Sequence, residues 1–259
     1  MAETESIRSN FQVDGNGPWV TFIHGIGSAI DGWDGVVAEL SDRFRCLRYD
    51  LRGHGESPLP PLPYGLDEYV ADLAALLDQQ DVPTTHLVGH SLGGMIAQGY
   101  ALRHPERVGK IVLVSTVAGR NAEERQAIVD LVETLEREGA ANILDRAIGR
   151  WFTPAFAAAN PQVIARRRAR VLGTDPDAFA AAFRTYAEQE FDQEIRDIRA
   201  PTLIMTGEHD VGANVRMARL MYERIRGARL EILSDLRHAV LAEAPALVAS
   251  HIASFLAAE

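Results

Sequence analysis

The chain has 259 residues, 47% of them hydrophobic and 24% charged, a composition that excludes disorder for its bulk and suits one main globular core. Acidic residues number 36 against 26 Lys and Arg, and the net charge of −10 argues against a general role on a nucleic-acid backbone or an anionic membrane, where basic surface drives binding. The single cysteine, Cys46, has no second thiol for an internal disulfide or a shared structural zinc, so a reducing compartment is expected.

The N-terminal MAETESIRSN is acidic and polar with no apolar core of a signal peptide, and no apolar run reaches the roughly 18 residues of a membrane span. A cytoplasmic protein acting on a small neutral or anionic molecule is expected, with no nucleic-acid or membrane partner; the sequence leaves homo-oligomerisation open. Short apolar runs then recur along the chain at Val20–Gly25, Phe44–Tyr49, His86–His90, Ile111–Ser115, Thr202–Gly207 and Leu230–Ser234. Between them lie segments of helical period; in Tyr69–Leu77, Val70, Leu73, Ala74 and Leu77 share one face. Strand and helix therefore alternate, which predicts an α/β protein with a mostly parallel central sheet flanked by helices. Four prolines within Pro58–Pro63 leave too few backbone donors for a helix or inner strand and predict a loop. From about Asn121 to Ile195 no strand pattern occurs, and Ile128, Leu131, Val132 and Leu135 follow helical spacing. The organisation expected is a core of residues 1–120 and 196–259 with an inserted helical cap at 121–195.

The sharpest local signal is Gly89-His90-Ser91-Leu92-Gly93, preceded by an apolar strand and followed by a helical stretch. Small residues two before and two after Ser91 let the turn tighten until the serine is strained and its hydroxyl stands above the sheet. The bland reading of the same glycines is a closely packed or phosphate-binding turn. A serine hydroxyl needs a base, and the base needs a carboxylate to hold its tautomer. Of eight histidines, His86 lies within a strand, His90 is expected to point away from Ser91, His104 and His251 belong to helices, and His24, His54 and His209 sit in loops that could line a site. His238, between the last strand and the last helix, is the candidate base. Asp210 follows the Thr202–Thr206 strand and is the candidate acid, ahead of Glu208 and Asp235. Ile26, in the glycine-flanked turn after the first clear strand, and Leu92 are the expected N–H donors to an oxyanion.

These residues carry a resemblance. His24-Gly25 with Trp33 downstream, Asp50-Leu51-Arg52-Gly53-His54-Gly55-Glu56-Ser57, the Gly89–Gly93 turn, Gly207–Asp210, and His238 followed by Glu243-Ala244-Pro245 make the chain similar to the α/β-hydrolase superfamily over nearly its whole length. Within it, Arg48–Gly55, Met95–Gln98 and Arg150–Phe156 most resemble 3-oxoadipate enol-lactonases and their esterase relatives. The resemblance implies a cofactor-free, metal-free Ser91–Asp210–His238 hydrolase of carboxylic esters or lactones. C–C hydrolases of meta-cleavage products and perhydrolases with the same triad are the alternatives, and a non-catalytic receptor is the alternative from another class. The resemblance also implies two N-terminal antiparallel strands, where this sequence offers only Ser6–Val13 and, for a first strand, Met1–Glu5. Arg237 stands where such proteins usually have glycine before the histidine, and Val211-Gly212 replaces a proline-rich turn after the acid. Ser91 at the turn excludes the aspartate chemistry of dehalogenases and epoxide hydrolases.

Gly25, Trp33 and Trp151 are the expected substrate-contacting residues, with Trp33 and Trp151 serving equally well as packing. Arg166, Arg167, Arg168 and Arg170 form a basic run inside the cap. One of them could clamp a substrate carboxylate bidentately; a solvated helix face is the commoner use of such a run.

Overall fold

The computed structural model describes residues 6–258. Seven strands, β1 (Phe11–Asp14), β2 (Trp19–Ile23), β3 (Arg45–Tyr49), β4 (Thr85–His90), β5 (Val108–Val114), β6 (Thr202–Gly207) and β7 (Arg229–Leu233), form one sheet in the order β1-β3-β2-β4-β5-β6-β7. Only β1 runs antiparallel, pairing Phe11 with Tyr49 and Asp14 with Cys46. Among the described residues a single antiparallel strand precedes the parallel set, where the resemblance implies two; Met1–Glu5, the place offered for the other, lies outside the described residues. The central strands are buried on both faces, Thr202–Gly207 along its entire length, which is why they read as continuous apolar runs rather than alternating ones.

Helices cover both faces. On one lie α2 (Leu66–Gln79), α3 (Leu92–Arg103) and α9 (Val215–Arg224); on the other, the short α1 (Asp34–Val37) packs with α11 (Pro245–Ala257), preceded by α10 (Val240–Glu243). The sequence explains each element locally. In α2, Tyr69, Val70, Leu73, Leu76 and Leu77 are buried at helical spacing, and the Glu68 carboxylate accepts the Gly65 N–H at 2.7 Å to close the first turn. Residues 92–101 of α3 are buried all round, as a central helix pressed between sheet and neighbours must be.

Between β5 and β6 the chain forms five helices and no strand: α4 (Ala122–Glu138), α5 (Ala140–Trp151), α6 (Pro154–Ala159), α7 (Pro161–Gly173) and α8 (Pro176–Glu188). Their starts carry strong signals. Asn121 and Glu124 cap α4 reciprocally, each side chain accepting the other's backbone N–H at 2.8 Å. Pro at the first position opens α6, α7 and α8.

The strand order fixes where a site can form. The chain leaves β2 toward β3 on one side, then crosses back to β4 on the other, so β2 and β4 are neighbours whose following loops diverge. Their carboxyl ends flank a crevice at the topological switch point, the place where open parallel sheets bind ligands. The loop beginning at His24 leaves one wall of it, and Ser91 leaves the other.

Candidate active site

Ser91 has φ 55° and ψ −119°, a left-handed conformation that an L residue holds only where its surroundings enforce it. Its N–H donates to the Val114 carbonyl at 3.0 Å, and its own carbonyl accepts the N–H of Gly94 at 2.9 Å and the Thr116 hydroxyl at 2.7 Å. The flanking glycines are steric requirements. A Cβ on Gly93 would collide with the carbonyls of Ile23 and His24, and one on Gly89 with the backbone of Gly93 and Gly94. The turn is therefore pressed directly against the end of β2.

Gly25 is held to the same tolerance: a Cβ there would come within 2.9 Å of Ser91 Cβ and 3.2 Å of His90 Nδ1. This close approach puts the loop carrying Ile26 beside the serine. Among the described residues neither the Ile26 N–H nor the Leu92 N–H has an acceptor within the chain. From behind, the loop is braced by the buried Asp50, whose carboxylate accepts the Ile30 N–H at 2.8 Å, the Glu56 N–H at 3.0 Å and Asn10 Nδ2 at 2.8 Å. His24 belongs to the same brace: its Nδ1–H donates to the Gly25 carbonyl at 2.8 Å, and its Nε2 accepts the Leu51 N–H at 3.0 Å. Burial, followed by the charge of His54, drives its pKa down to about 3, so His24 is a neutral structural imidazole.

His238 and Asp210 come together as the chain order suggests. His238 Nδ1 and Asp210 Oδ2 are 2.8 Å apart. Oδ1 of the buried aspartate accepts the N–H groups of Gly212 at 2.9 Å and Ala213 at 3.0 Å. Burial pushes the Asp210 carboxyl up, but the imidazole of His238 and those two N–H groups outweigh it and hold the pKa below the ordinary carboxylate value. His238 lies against His90, the residue before Ser91, with ring centroids 4.9 Å apart, and its carbonyl accepts His90 Nε2–H at 3.1 Å. The His90 ring thus turns toward the base loop. Burial and the adjacent His238 lower its pKa to about 3. No hydrogen bond joins Ser91 Oγ to His238 among the described residues; catalytic contacts of this kind commonly tighten only when substrate binds.

The other acids stay apart from this pair. Glu208 is exposed and accepts the Asp235 N–H at 3.2 Å, and His209 is exposed beside both. His54 is buried, donating from Nδ1 to the Arg52 carbonyl at 3.0 Å, while its Nε2 has no partner among the described residues.

The helices between β5 and β6 reach the site at two places. Val171 and Phe179 pack against Gly27, whose φ of 62° demands glycine. Arg167 turns inward from α7, donating to the Gly27 carbonyl at 2.6 Å and the Ile26 carbonyl at 3.0 Å, with its guanidinium 4.7 Å from the centre of the Trp151 ring. Arg168 and Arg170 point elsewhere, paired with Asp145 and Asp31. At the second place, the Trp151 carbonyl accepts the Ala239 N–H at 2.9 Å, Arg237 donates to the carbonyls of Gly149 and Phe152, and Glu243 accepts both the N–H and the hydroxyl of Thr153 at 3.0 and 2.5 Å. Trp151 therefore stands between the Ile26 loop and the His238 loop.

Trp33 is a correction. It is fully enclosed in the core layer beneath α1 and α11, 5.2 Å from Phe22, and does not line the site. The bracing roles of Asp50 and Thr116 are additions; the polar residue just past β5 was the signal for Thr116, whereas the arginine contacts span 85–141 residues and had none.

The profile of the alpha/beta hydrolase fold matches residues 18–245. The chain is 28% identical over 216 residues to 3-oxoadipate enol-lactonase 2 of Acinetobacter baylyi, covering 83% of this chain and 80% of that one. It is 29% identical over 270 aligned positions to 2-hydroxy-6-oxo-2,4-heptadienoate hydrolase of Pseudomonas putida, covering 100% and 96%. The crystal structure of the enol-lactonase from Burkholderia xenovorans LB400 superposes with a TM-score of 0.90 at 28% identity, over 96% of each chain. With the strained serine turn at the switch point and the match running through most of its length, the chain belongs to the alpha/beta hydrolase fold family.

Proposed function

We propose that the protein is a serine hydrolase of carboxylic esters, and most specifically of a small carboxylate-bearing lactone of the 3-oxoadipate enol-lactone type. The observation that carries the reading is the His238–Asp210 pair, whose imidazole lies against His90, the residue before a serine held at φ 55°. In this reading residues 121–195 act as a cap over the core formed by 1–120 and 196–259. The lone Cys46, buried and free, supports a cytoplasmic setting.

The chemistry follows from the donors and acceptors. With Nδ1–H directed at the Asp210 carboxylate, His238 presents Nε2 as a lone pair that takes the Ser91 hydroxyl proton as Oγ attacks the carbonyl. The Ile26 and Leu92 N–H groups, free of other acceptors among the described residues, receive the developing oxyanion. Collapse breaks the bond to the leaving alkoxide or enolate, which takes the proton from His238. Water, deprotonated by the same Nε2, then cleaves the acyl-enzyme and restores Ser91. The leaving group stays tethered to the acyl group when a lactone opens. C–C cleavage of a meta-cleavage product is the second reading, favoured by the full-length similarity to the Pseudomonas putida hydrolase.

The test is hydrolysis of 3-oxoadipate enol-lactone, followed by loss of its ultraviolet absorbance, beside p-nitrophenyl acetate and a meta-cleavage product. Ser91→Ala serves as the blank. A preference for the enol-lactone, abolished by roughly 10³-fold or more in Ser91→Ala, is expected. Preference for the meta-cleavage product selects the second reading. A folded Ser91→Ala protein that remains active sinks both.

A further inference from the structure

Arg167 is anomalous among the charges of the cap. Its helix neighbours Arg168 and Arg170 each have a carboxylate partner, whereas Arg167, turned inward, has none within 4 Å among the described residues and meets only backbone carbonyls. An inward guanidinium without a counter-anion is costly, and removal from water is normally offset by a carboxylate. Burial, with Arg170 nearby, pulls the Arg167 pKa down to about 10, so the guanidinium remains a cation at neutral pH. The one carboxylate whose field reaches it, Asp31, is engaged by Arg170; His24 and His54 are kept neutral by burial, and the field of Arg167 disfavours their protonation further. One face is covered by the Trp151 ring. Two of its five N–H donors are spent on the Ile26 and Gly27 carbonyls, leaving three for a ligand.

We infer that Arg167 is the anion receptor of the site, binding a carboxylate carried by the substrate at a distance from the scissile carbonyl and coupling that contact to the Ile26 loop. The inference rests on the Ser91–His238–Asp210 reading for the location of the chemistry, and it identifies which of the four cap arginines faces the substrate. The same guanidinium grips the loop whose N–H receives the oxyanion. Binding energy from the remote carboxylate therefore acts on the reacting centre and raises kcat as well as lowering KM. A substrate without the anion leaves Arg167 uncompensated and forgoes both effects.

The experiment compares monomethyl glutarate with its isosteric carboxamide, methyl 5-amino-5-oxopentanoate, and the succinate and adipate homologues of each, by pH-stat, in the intact wild-type, Arg167→Met and Arg167→Lys proteins. For the best chain length the wild type is expected to prefer the carboxylate by about 30- to 100-fold in kcat/KM, the range of a charge-assisted bidentate contact. Arg167→Met loses at least tenfold more on the carboxylate than on the carboxamide, and Arg167→Lys, a point charge without the fork, retains an intermediate preference. Equal losses on both esters in Arg167→Met, or a wild type indifferent to the carboxylate at every chain length, overturn the inference and leave Arg167 as a brace of the Ile26 loop alone. Calorimetric titration of monomethyl glutarate into Ser91→Ala and into Ser91→Ala/Arg167→Met measures the same contact without turnover. Weaker binding in the double variant supports the receptor and identical binding refutes it, whether or not Ser91 proves to be the nucleophile.

Discussion

Removing the Arg237 side chain tests whether α5 positions His238, the base of the proposed mechanism. Arg237 precedes His238 and donates to the carbonyls of Gly149 and Phe152 at the C-terminal end of α5, where the helix dipole concentrates negative charge. Arg237→Ala deletes both bonds while the adjacent Ala239 N–H to Trp151 bond and the Glu243 contacts to Thr153 remain. A buried charge-assisted hydrogen bond contributes about 1.5–3 kcal/mol. These bonds are partly exposed, and discounting for solvent brings the pair to about 1–2 kcal/mol. For a chain of this length that lowers Tm by roughly 2–8 °C. The effect on turnover is steeper than the effect on stability, because a displacement of about 1 Å in a catalytic group costs up to roughly 10²-fold; a fall in kcat of about tenfold on p-nitrophenyl acetate, with KM within about threefold, is expected. Arg237→Lys keeps a donor and recovers part of the rate. The decisive second readout is the downfield proton resonance of the His238–Asp210 hydrogen bond, which broadens in Arg237→Ala if the base loop loosens. Unchanged kcat together with an unchanged resonance would falsify the positioning role, even with a lowered Tm.

Two further outcomes follow from the same geometry. Gly25→Ala forces a methyl to 2.9 Å from Ser91 Cβ; kcat falls about 10²–10³-fold through the displaced Ile26 donor, with about 1–3 kcal/mol of stability lost to overpacking, and wild-type turnover in this variant removes Ile26 from the oxyanion site. Acid destabilises the fold through His24 and His90, both held by burial at about 3 in the folded state against about 6.5 unfolded. Their contribution is complete above about pH 6.5 and is lost as pH falls toward 3, because the unfolded chain takes up protons that the folded one refuses. The slope for each histidine is about 0.7 kcal/mol per pH unit at pH 6.5 and approaches about 1.4 by pH 5, and urea unfolding that is flat across that window contradicts the assignment.

Much of this was legible because it is written in local pattern. The strands fall within a few residues of the apolar runs, since a strand buried on both faces must be apolar throughout. The serine turn was legible because glycine at 89 and 93 is demanded by backbone contact. The pairing of Asp210 with His238 rather than Glu208 or Asp235 followed from loop position after β6. Trp33 was misplaced because an aromatic residue a few positions beyond a strand carries no mark of which face of the sheet its loop will cover. The four arginines of 166–170 could not be ranked either, since successive positions point all round a helix and only the docking of α7 selects one. Arg237 was visible as a departure from the expected glycine, but its partners lie on α5 and just beyond it, 85 and 88 residues away.

The other departure, Val211-Gly212 in place of a proline-rich turn, has a physical consequence at the acid. Asp210 is buried, and burial alone raises a carboxyl toward the neutral form, in which it could neither orient His238 nor stabilise its imidazolium. Oδ2 is occupied by the imidazole, so the remaining stabilisation has to arrive at Oδ1. It comes from the N–H groups of Gly212 and Ala213, a side-chain turn in which the carboxylate accepts from the backbone two and three residues on. A proline at 212 has no N–H to give, and one of the two backbone donors to the buried carboxylate would be lost. The glycine therefore helps to keep the carboxylate ionised and, in the proposed mechanism, the proton on Nδ1 and the Nε2 lone pair available to Ser91.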